Sequence, residues 1–264
     1  MNGLVLVDKP VGPSSFDIVK RLRGRYGVKT GHAGTLDPQA SGLLLCLLGP
    51  STRLARYLVG LDKRYETDVD LRARTTTGDP EGDVVEESDP PEREELEERI
   101  ATLRGEVELP IPAASAVKVA GERAYRLARR GVAVEMPVRR STVHALDLLA
   151  YDDGIARLSA RVSSGTYVRA LAEALGGHGR TLRRTAVGPF AVDSADPERI
   201  RPAVEALPFL PALEVDANEA AAVRSGRALR RVGDGLVRIA SAGDLVAVAR
   251  AGDGLVRPET VLPA

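Results

Sequence analysis

The feature that most restricts this chain is a six-residue apolar run, Leu43 to Leu48 ("LLLCLL"), directly behind the loop "GHAGTLDPQASG". The run has no polar alternation, so it reads as a buried strand. It is far too short to cross a bilayer. The loop before it holds one imidazole, His32, and one carboxylate, Asp37, between glycines and Pro38. The bland reading of Leu-Asp-Pro is a turn in which the aspartate caps its own backbone. Gly34, Gly42 and Pro38 tilt the balance, because a fixed backbone around an acid suits a preorganised site.

The elements around this loop are mixed. "GLVLVDKP" reads as a short strand. Ser14 or Ser15 then caps a helix whose apolar positions are Phe16, Ile18, Val19 and Leu22, stopped by Gly24 or Gly27. "STRLARYLVG" predicts a capped helix from Ser51. "DKRYETDVDLRART" predicts a strand, "TGDPEGD" a turn, and "SDPPEREELEERIATLRG" an acidic helix. A proline-rich loop follows, then a short basic helix in "GERAYRLARRG". Two strands flank "YDDG", a helix enters after "SSGTY", and "TLRRTAVGPFAVDSA" adds a strand. No βαβ repeat, GxGxxG or Walker sequence is present. The pattern predicts an α+β fold with a mixed, largely antiparallel sheet.

The 264 residues suffice for one large domain and one small one. "LPFLPALEVD" reads as a linker. Beyond it, Asp216 and Glu219 suggest a capping box, Gly226 a stop, and three short strands a β-rich unit. The expected domains are 1–208, with a basic insertion at about 112–136, and 213–264. With 3% aromatics and no Trp, the core must rest on Leu, Val, Ile and Ala. A lone cysteine, Cys46, precludes a disulfide within the chain. The N-terminus lacks the pattern of a signal peptide, so a cytoplasmic protein is expected.

Formal net charge is zero, yet the charges are segregated. Asp79 to Glu98 carries eleven acids and one arginine. Lys118 to Arg140 carries seven bases and two acids, and Arg157 to Arg184 six arginines and one acid. Such runs allow basic faces for nucleic acid on a neutral protein, although each alone also fits a solvated face.

Several motifs together resemble one family. "GHAGTLDPQASGLL" is similar to the signature loop of the bacterial tRNA pseudouridine-55 synthases. "GLVLVDKPVGPSS" resembles their Lys-Pro motif, "DKRYE" the motif bearing an active-site tyrosine, and "SSGTYVRALAEALG" the Gly-Thr-Tyr-apolar-Arg motif. "TTTGDPEGDVV" and "LRRTAVGPF" match two more, all in order over residues 2 to about 190. Two departures stand out. "ELPIPAASAVK" lacks the Gln and Tyr usual in the insertion motif, and Thr76 stands where an Asp is usual.

The resemblance implies a pseudouridine synthase fold with a small C-terminal PUA-like domain. The reaction would isomerise uridine-55 in the tRNA T loop, using no metal, nucleotide or redox cofactor. Asp37 would be the catalytic acid, attacking C1′ or removing a C2′ proton. Tyr65 would stack on the flipped uracil and could accept the C5 proton, and Arg169 would pair with Asp37. His32, Tyr167, Leu182 and Lys9 would bind the substrate nucleotide, His32 by assisting the flipped conformation. Lys20, Arg21, Arg23, Arg126, Arg129 and Arg130 are candidate phosphate contacts. His144 and His178 have no partner at metal spacing and read as structural or surface residues. A monomer with tRNA as its partner, no obligate protein partner and no membrane association is expected. The alternatives are an RNA-guided relative acting on ribosomal RNA and a non-catalytic tRNA-folding factor.

Overall fold

The computed structural model describes residues 1–112, 115, 117–119, 121–124 and 136–263. Two compact units divide the chain, one of residues 1–60 with 188–264 and one of residues 61–187.

In the first unit the buried run forms β3. Strand β1 (Gly3–Lys9) lies antiparallel to β3 (Ser41–Leu48), with Val5 opposite Cys46 and Val7 opposite Leu44. The short β2 (Thr30–His32) also pairs with β3, setting His32 opposite Cys46. Strand Asp196–Arg201 covers the other edge of β1. Every side chain from Leu43 to Leu48 is fully buried. Burying each leucine contributes about 1.5–3 kcal/mol, enough for this strand to anchor the unit.

Helix α1 (Ser15–Tyr26) buries Ile18, Val19 and Leu22, and Ile18 and Leu22 join Val5, Val7, Leu44 and Cys46 of the sheet in one cluster. Ser14 is its cap: Asp17 N donates to Ser14 Oγ, and the Asp17 carboxylate accepts from Ser14 N. Gly27, at φ 65°, ends the helix in the left-handed region. Phe16 departs from the expected apolar stripe and is 55% exposed. The expected helix from Ser51 begins earlier, as a 3-10 turn over Gly49–Leu54, and becomes α-helical only at Ala55–Leu58.

Five more strands at the C-terminal end form a separate sheet. Gly235–Ser241, Asp244–Gly252 and Leu255–Val261 make an antiparallel meander. Leu229–Arg230 pairs with Leu255–Val261. The segment read as a linker supplies Ala212–Glu214, which runs parallel to Gly235–Ser241. Helix Ala217–Arg224 covers the sheet through Ala220 and Val223. Asp216 caps it by accepting from Glu219 N, while the Glu219 carboxylate pairs with Arg231.

The second unit is built on β4 (Lys63–Asp70). It is flanked by the antiparallel strands Ile155–Val162 and Arg183–Val187. Ile155–Val162 pairs in turn with Val138–Asp152, and that strand with Gly105–Pro110. The expected strand through residue 75 breaks after Asp70. Ala73–Thr75 instead makes a small ribbon with Val84–Glu87. Helix Arg93–Thr102 buries only Leu96 and Ile100, whereas helix Val168–Ala174 buries its first five residues, Arg169 included. No helix among the described residues is long and apolar enough to cross a membrane.

Candidate active site

The Asp37 loop is held from beneath by its own unit. Ser15, the first residue of α1, is buried, and its hydroxyl donates to Leu36 O and accepts from Leu36 N, both at 2.8 Å. Gly12 N donates to Pro38 O at 2.8 Å, and Ala40 N closes a turn on Asp37 O at 3.1 Å. Gly34 and Gly42 sit at φ 98° and 105°, a region that side-chain-bearing residues rarely enter. Asp37 itself is half-buried, between buried Leu36 and exposed Pro38. The backbone is thus fixed on both sides of the carboxylate.

Lys9 is fully buried at the end of β1. Its ammonium donates to Pro10 O and Pro13 O at 2.9 Å and to Pro38 O at 3.4 Å. A cation taken from water needs such acceptors, and here they tie two loops to one strand end. His32 lies on β2, half-buried, at the entry to the same loop.

The second unit carries the remaining candidates. Tyr65 on β4 is 9% exposed, opposite Ala160 on one side and Arg184 on the other. Tyr167 occupies the residue before helix Val168–Ala174 and is half-buried. Leu182, also half-buried, lies just ahead of Arg183–Val187. The preceding residue is pinned to β4, since Thr67 Oγ1 donates to Thr181 O at 2.6 Å and Asp68 N to Thr181 Oγ1 at 2.9 Å.

Arg169 points into a buried acid that reading the sequence as a turn did not single out. Its Nη1 lies 3.0 Å from Asp79 Oδ2 and 3.3 Å from Thr77 O. Asp79 Oδ1 accepts from Thr77 Oγ1 at 2.6 Å and from Glu81 N at 3.2 Å. The carboxylate therefore closes the "TGDPEG" turn with one oxygen and holds the guanidinium with the other. Glu173, one helical turn on from Arg169, has its carboxyl raised above the usual range by burial, with Arg169 and Arg74 opposing that shift. Lys63, two residues before Tyr65, is buried and donates to Leu61 O and Ser164 Oγ. Burial, helped by the charge of Arg184, brings its ammonium down to about 8.

The basic candidates divide. Lys20, Arg21 and Arg23 are exposed on α1. Arg126, Arg129 and Arg130 lie outside the described residues. His178 is buried with Nδ1 2.9 Å from Ala73 O, and His144 Nε2 lies 3.2 Å from Asp62. Among the described residues no cluster of three or more His, Cys, Asp or Glu side chains is arranged to hold a metal ion.

The family described as "TruB family pseudouridylate synthase (N terminal domain)" matches residues 20–168. A protein of Mycobacterium sp. (strain KMS) named tRNA pseudouridine synthase B is 40% identical over 98% of this chain and 95% of its own length. The Geobacillus kaustophilus protein of the same name is 39% identical over 87% of this chain and 91% of its own. Among solved structures, one of a Cbf5-Nop10-Gar1 complex matches with TM-score 0.74 and 25% identity, over 99% of this chain and 85% of that one. An archaeal box H/ACA Nop10-Cbf5 complex shares the fold at TM-score 0.72.

Proposed function

The chain belongs to the TruB family of pseudouridylate synthases, and from that premise we propose that it converts uridine-55 of the tRNA T loop to pseudouridine. The observation that carries this reading is the Asp37 loop, in which Lys9, Gly12, Ser15 and two left-handed glycines fix the backbone around one carboxylate.

The reaction breaks the N1–C1′ bond, turns the uracil and rejoins it through C5. N1 gains a proton and C5 loses one, so atoms and electrons balance without an oxidant or reductant. Positive charge develops at C1′, as in glycoside cleavage, and Asp37 answers it by attack at C1′ or by taking a C2′ proton. In this reading Arg169 is the partner that aims Asp37. Asp79 in turn holds Arg169. Tyr65 stacks on the uracil and receives the C5 proton. Tyr167 and Leu182 wall the base, His32 supports the flipped nucleotide, and Lys9 acts by bracing the loop.

The target uridine lies in a folded loop and must leave its stack before chemistry. Lys20, Arg21 and Arg23 on α1, with Arg126, Arg129 and Arg130 of the 112–136 insertion, hold RNA phosphates. Residues 213–264 serve as a PUA-like RNA-binding domain beside a catalytic domain of residues 1–208. The protein works in the cytoplasm as a monomer, without a protein partner.

The likeness to Cbf5 complexes favours one other reading, an RNA-guided enzyme. Unmodified tRNA transcript incubated with the purified chain, without guide RNA, separates the two. Pseudouridine mapped at position 55 supports the stand-alone enzyme. Its absence until a guide RNA is added overturns it.

A further inference from the structure

Phe16 is where α1 breaks its own pattern. Ser15, Ile18, Val19 and Leu22 form the buried stripe, while Phe16 is left 55% exposed and Val11, in the preceding loop, 64% exposed. Single exposed apolar residues are ordinary. Their location gives these two meaning. The segment from Pro10 to Phe16 is fastened to both sides of the Asp37 loop, by Ser15 on Leu36 and by Gly12 and Lys9 on Pro38. The exposed aromatic residue thus directly follows the serine that is hydrogen-bonded into the Asp37 loop.

The charge around it is one-sided. Lys20, Arg21 and Arg23 are exposed on the same helix. The acid of α1, Asp17, is engaged by Ser14 and lies 3.5 Å from Lys20 Nζ. Lys20 Nζ also sits 4.9 Å from the centre of the Phe16 ring. A ring of this kind next to cations suits a strand of RNA, whose base stacks on the ring while its phosphate meets the ammonium.

We propose that Phe16, with Val11 and Lys20, is a stacking platform for an unpaired nucleobase next to the uridine that enters the site. The proposal rests on the reading of RNA as substrate. Within it the Phe16 ring adds affinity by stacking and not by neutralising phosphate, which distinguishes it from Lys20, Arg21 and Arg23.

The chain has no tryptophan, so Phe16→Trp installs a single fluorescent reporter at the platform. Titration with a T stem-loop RNA should quench the indole, saturating at the RNA concentration that saturates filter binding. Phe16→Ala should bind this RNA on the order of tenfold more weakly. It should keep the wild-type thermal midpoint and the wild-type dependence of binding on salt, because no phosphate contact is lost. Indole emission unmoved at RNA saturation, or wild-type affinity in Phe16→Ala, overturns the platform and leaves the surface to a protein partner. Failure of the unsubstituted chain to bind or modify tRNA overturns the RNA reading itself, a result visible without any substitution.

Discussion

Arg169 reaches Asp79 across 3.0 Å, and both side chains are more than nine-tenths buried. The pair joins residues ninety positions apart, from a turn and from a helix. Removing the charge of one partner leaves the other buried and uncompensated, which costs about 3–5 kcal/mol. Asp79→Asn should therefore lower the thermal midpoint. It should also lower turnover more than tRNA affinity, because Arg169 loses its hold. A variant with wild-type midpoint and turnover would show that the pair is idle. Thermal unfolding and single-turnover kinetics decide it.

Lys9 offers a second test of how the loop is held. Lys9→Met keeps most of the side-chain volume and removes the donors to Pro10, Pro13 and Pro38. Leaving these part-buried carbonyls without that donor costs less than the about 1–3 kcal/mol each that fully buried ones would lose. The variant should fold with a reduced midpoint, and its loop should become the preferred site of limited proteolysis. Turnover should fall while tRNA affinity changes little. Unchanged proteolysis and turnover would contradict the brace.

Lys63 makes stability depend on pH in a definite direction. Its folded value is about 8, against 10.5 in a free lysine. Between these values the unfolded chain binds more protons than the folded one, so folding becomes more favourable as pH rises. Below pH 8 the full cost of a buried charge is present. Wild type should gain stability relative to Lys63→Met as pH increases from about 8 to 10.5, measured by urea unfolding. A difference that stays flat or shrinks across that window would contradict burial of a charged Lys63.

The C-terminal sheet predicts the outcome of truncation. Ala206 and Leu207 are fully buried, Arg238 Nη1 donates to Val204 O at 3.0 Å, and Tyr57 OH lies 2.7 Å from Thr260 Oγ1. A chain ending at Pro211 loses these contacts and should melt at a lower temperature. If it stays folded, its KM for full-length tRNA should rise with a smaller change in kcat, because uniform binding is what it has lost. An unaltered midpoint and KM would contradict both roles for residues 213–264.

What the sequence reveals and hides divides along chain distance. The buried strand at Leu43–Leu48 is a local signal and legible, and so are a serine cap and a glycine stop for α1, although only the structure chooses Ser14 over Ser15 and Gly27 over Gly24. Phe16 looked like core because it is apolar near a helix start. The stripe instead runs through Ser15, whose hydroxyl is needed by Leu36 twenty-one residues away. Asp79 read as turn chemistry, which is half its role, since its second oxygen serves an arginine that no local pattern could indicate. "LPFLPALEVD" looked like a linker from its prolines. Its Ala212–Glu214 part is tied down by Gly235–Ser241, which comes later in the chain, and Leu213 packs on the C-terminal core. The family motifs point to candidate site residues, whereas the groups that hold those residues, such as Ser15 on Leu36 and Asp79 on Arg169, depend on tertiary approach.

The central claim is that Asp37 performs the bond-breaking step on tRNA. Asp37→Asn is nearly isosteric, so the variant should fold and bind unmodified tRNA as wild type does. Loss of the charge at C1′ should remove detectable pseudouridine, since stabilisation of developing charge is where such a group acts. The direct measurement is pseudouridine formed at position 55 of bare tRNA by wild type and by Asp37→Asn, under conditions where both bind. Product from wild type and none from the variant is the predicted result. Turnover near wild type in Asp37→Asn would contradict the account.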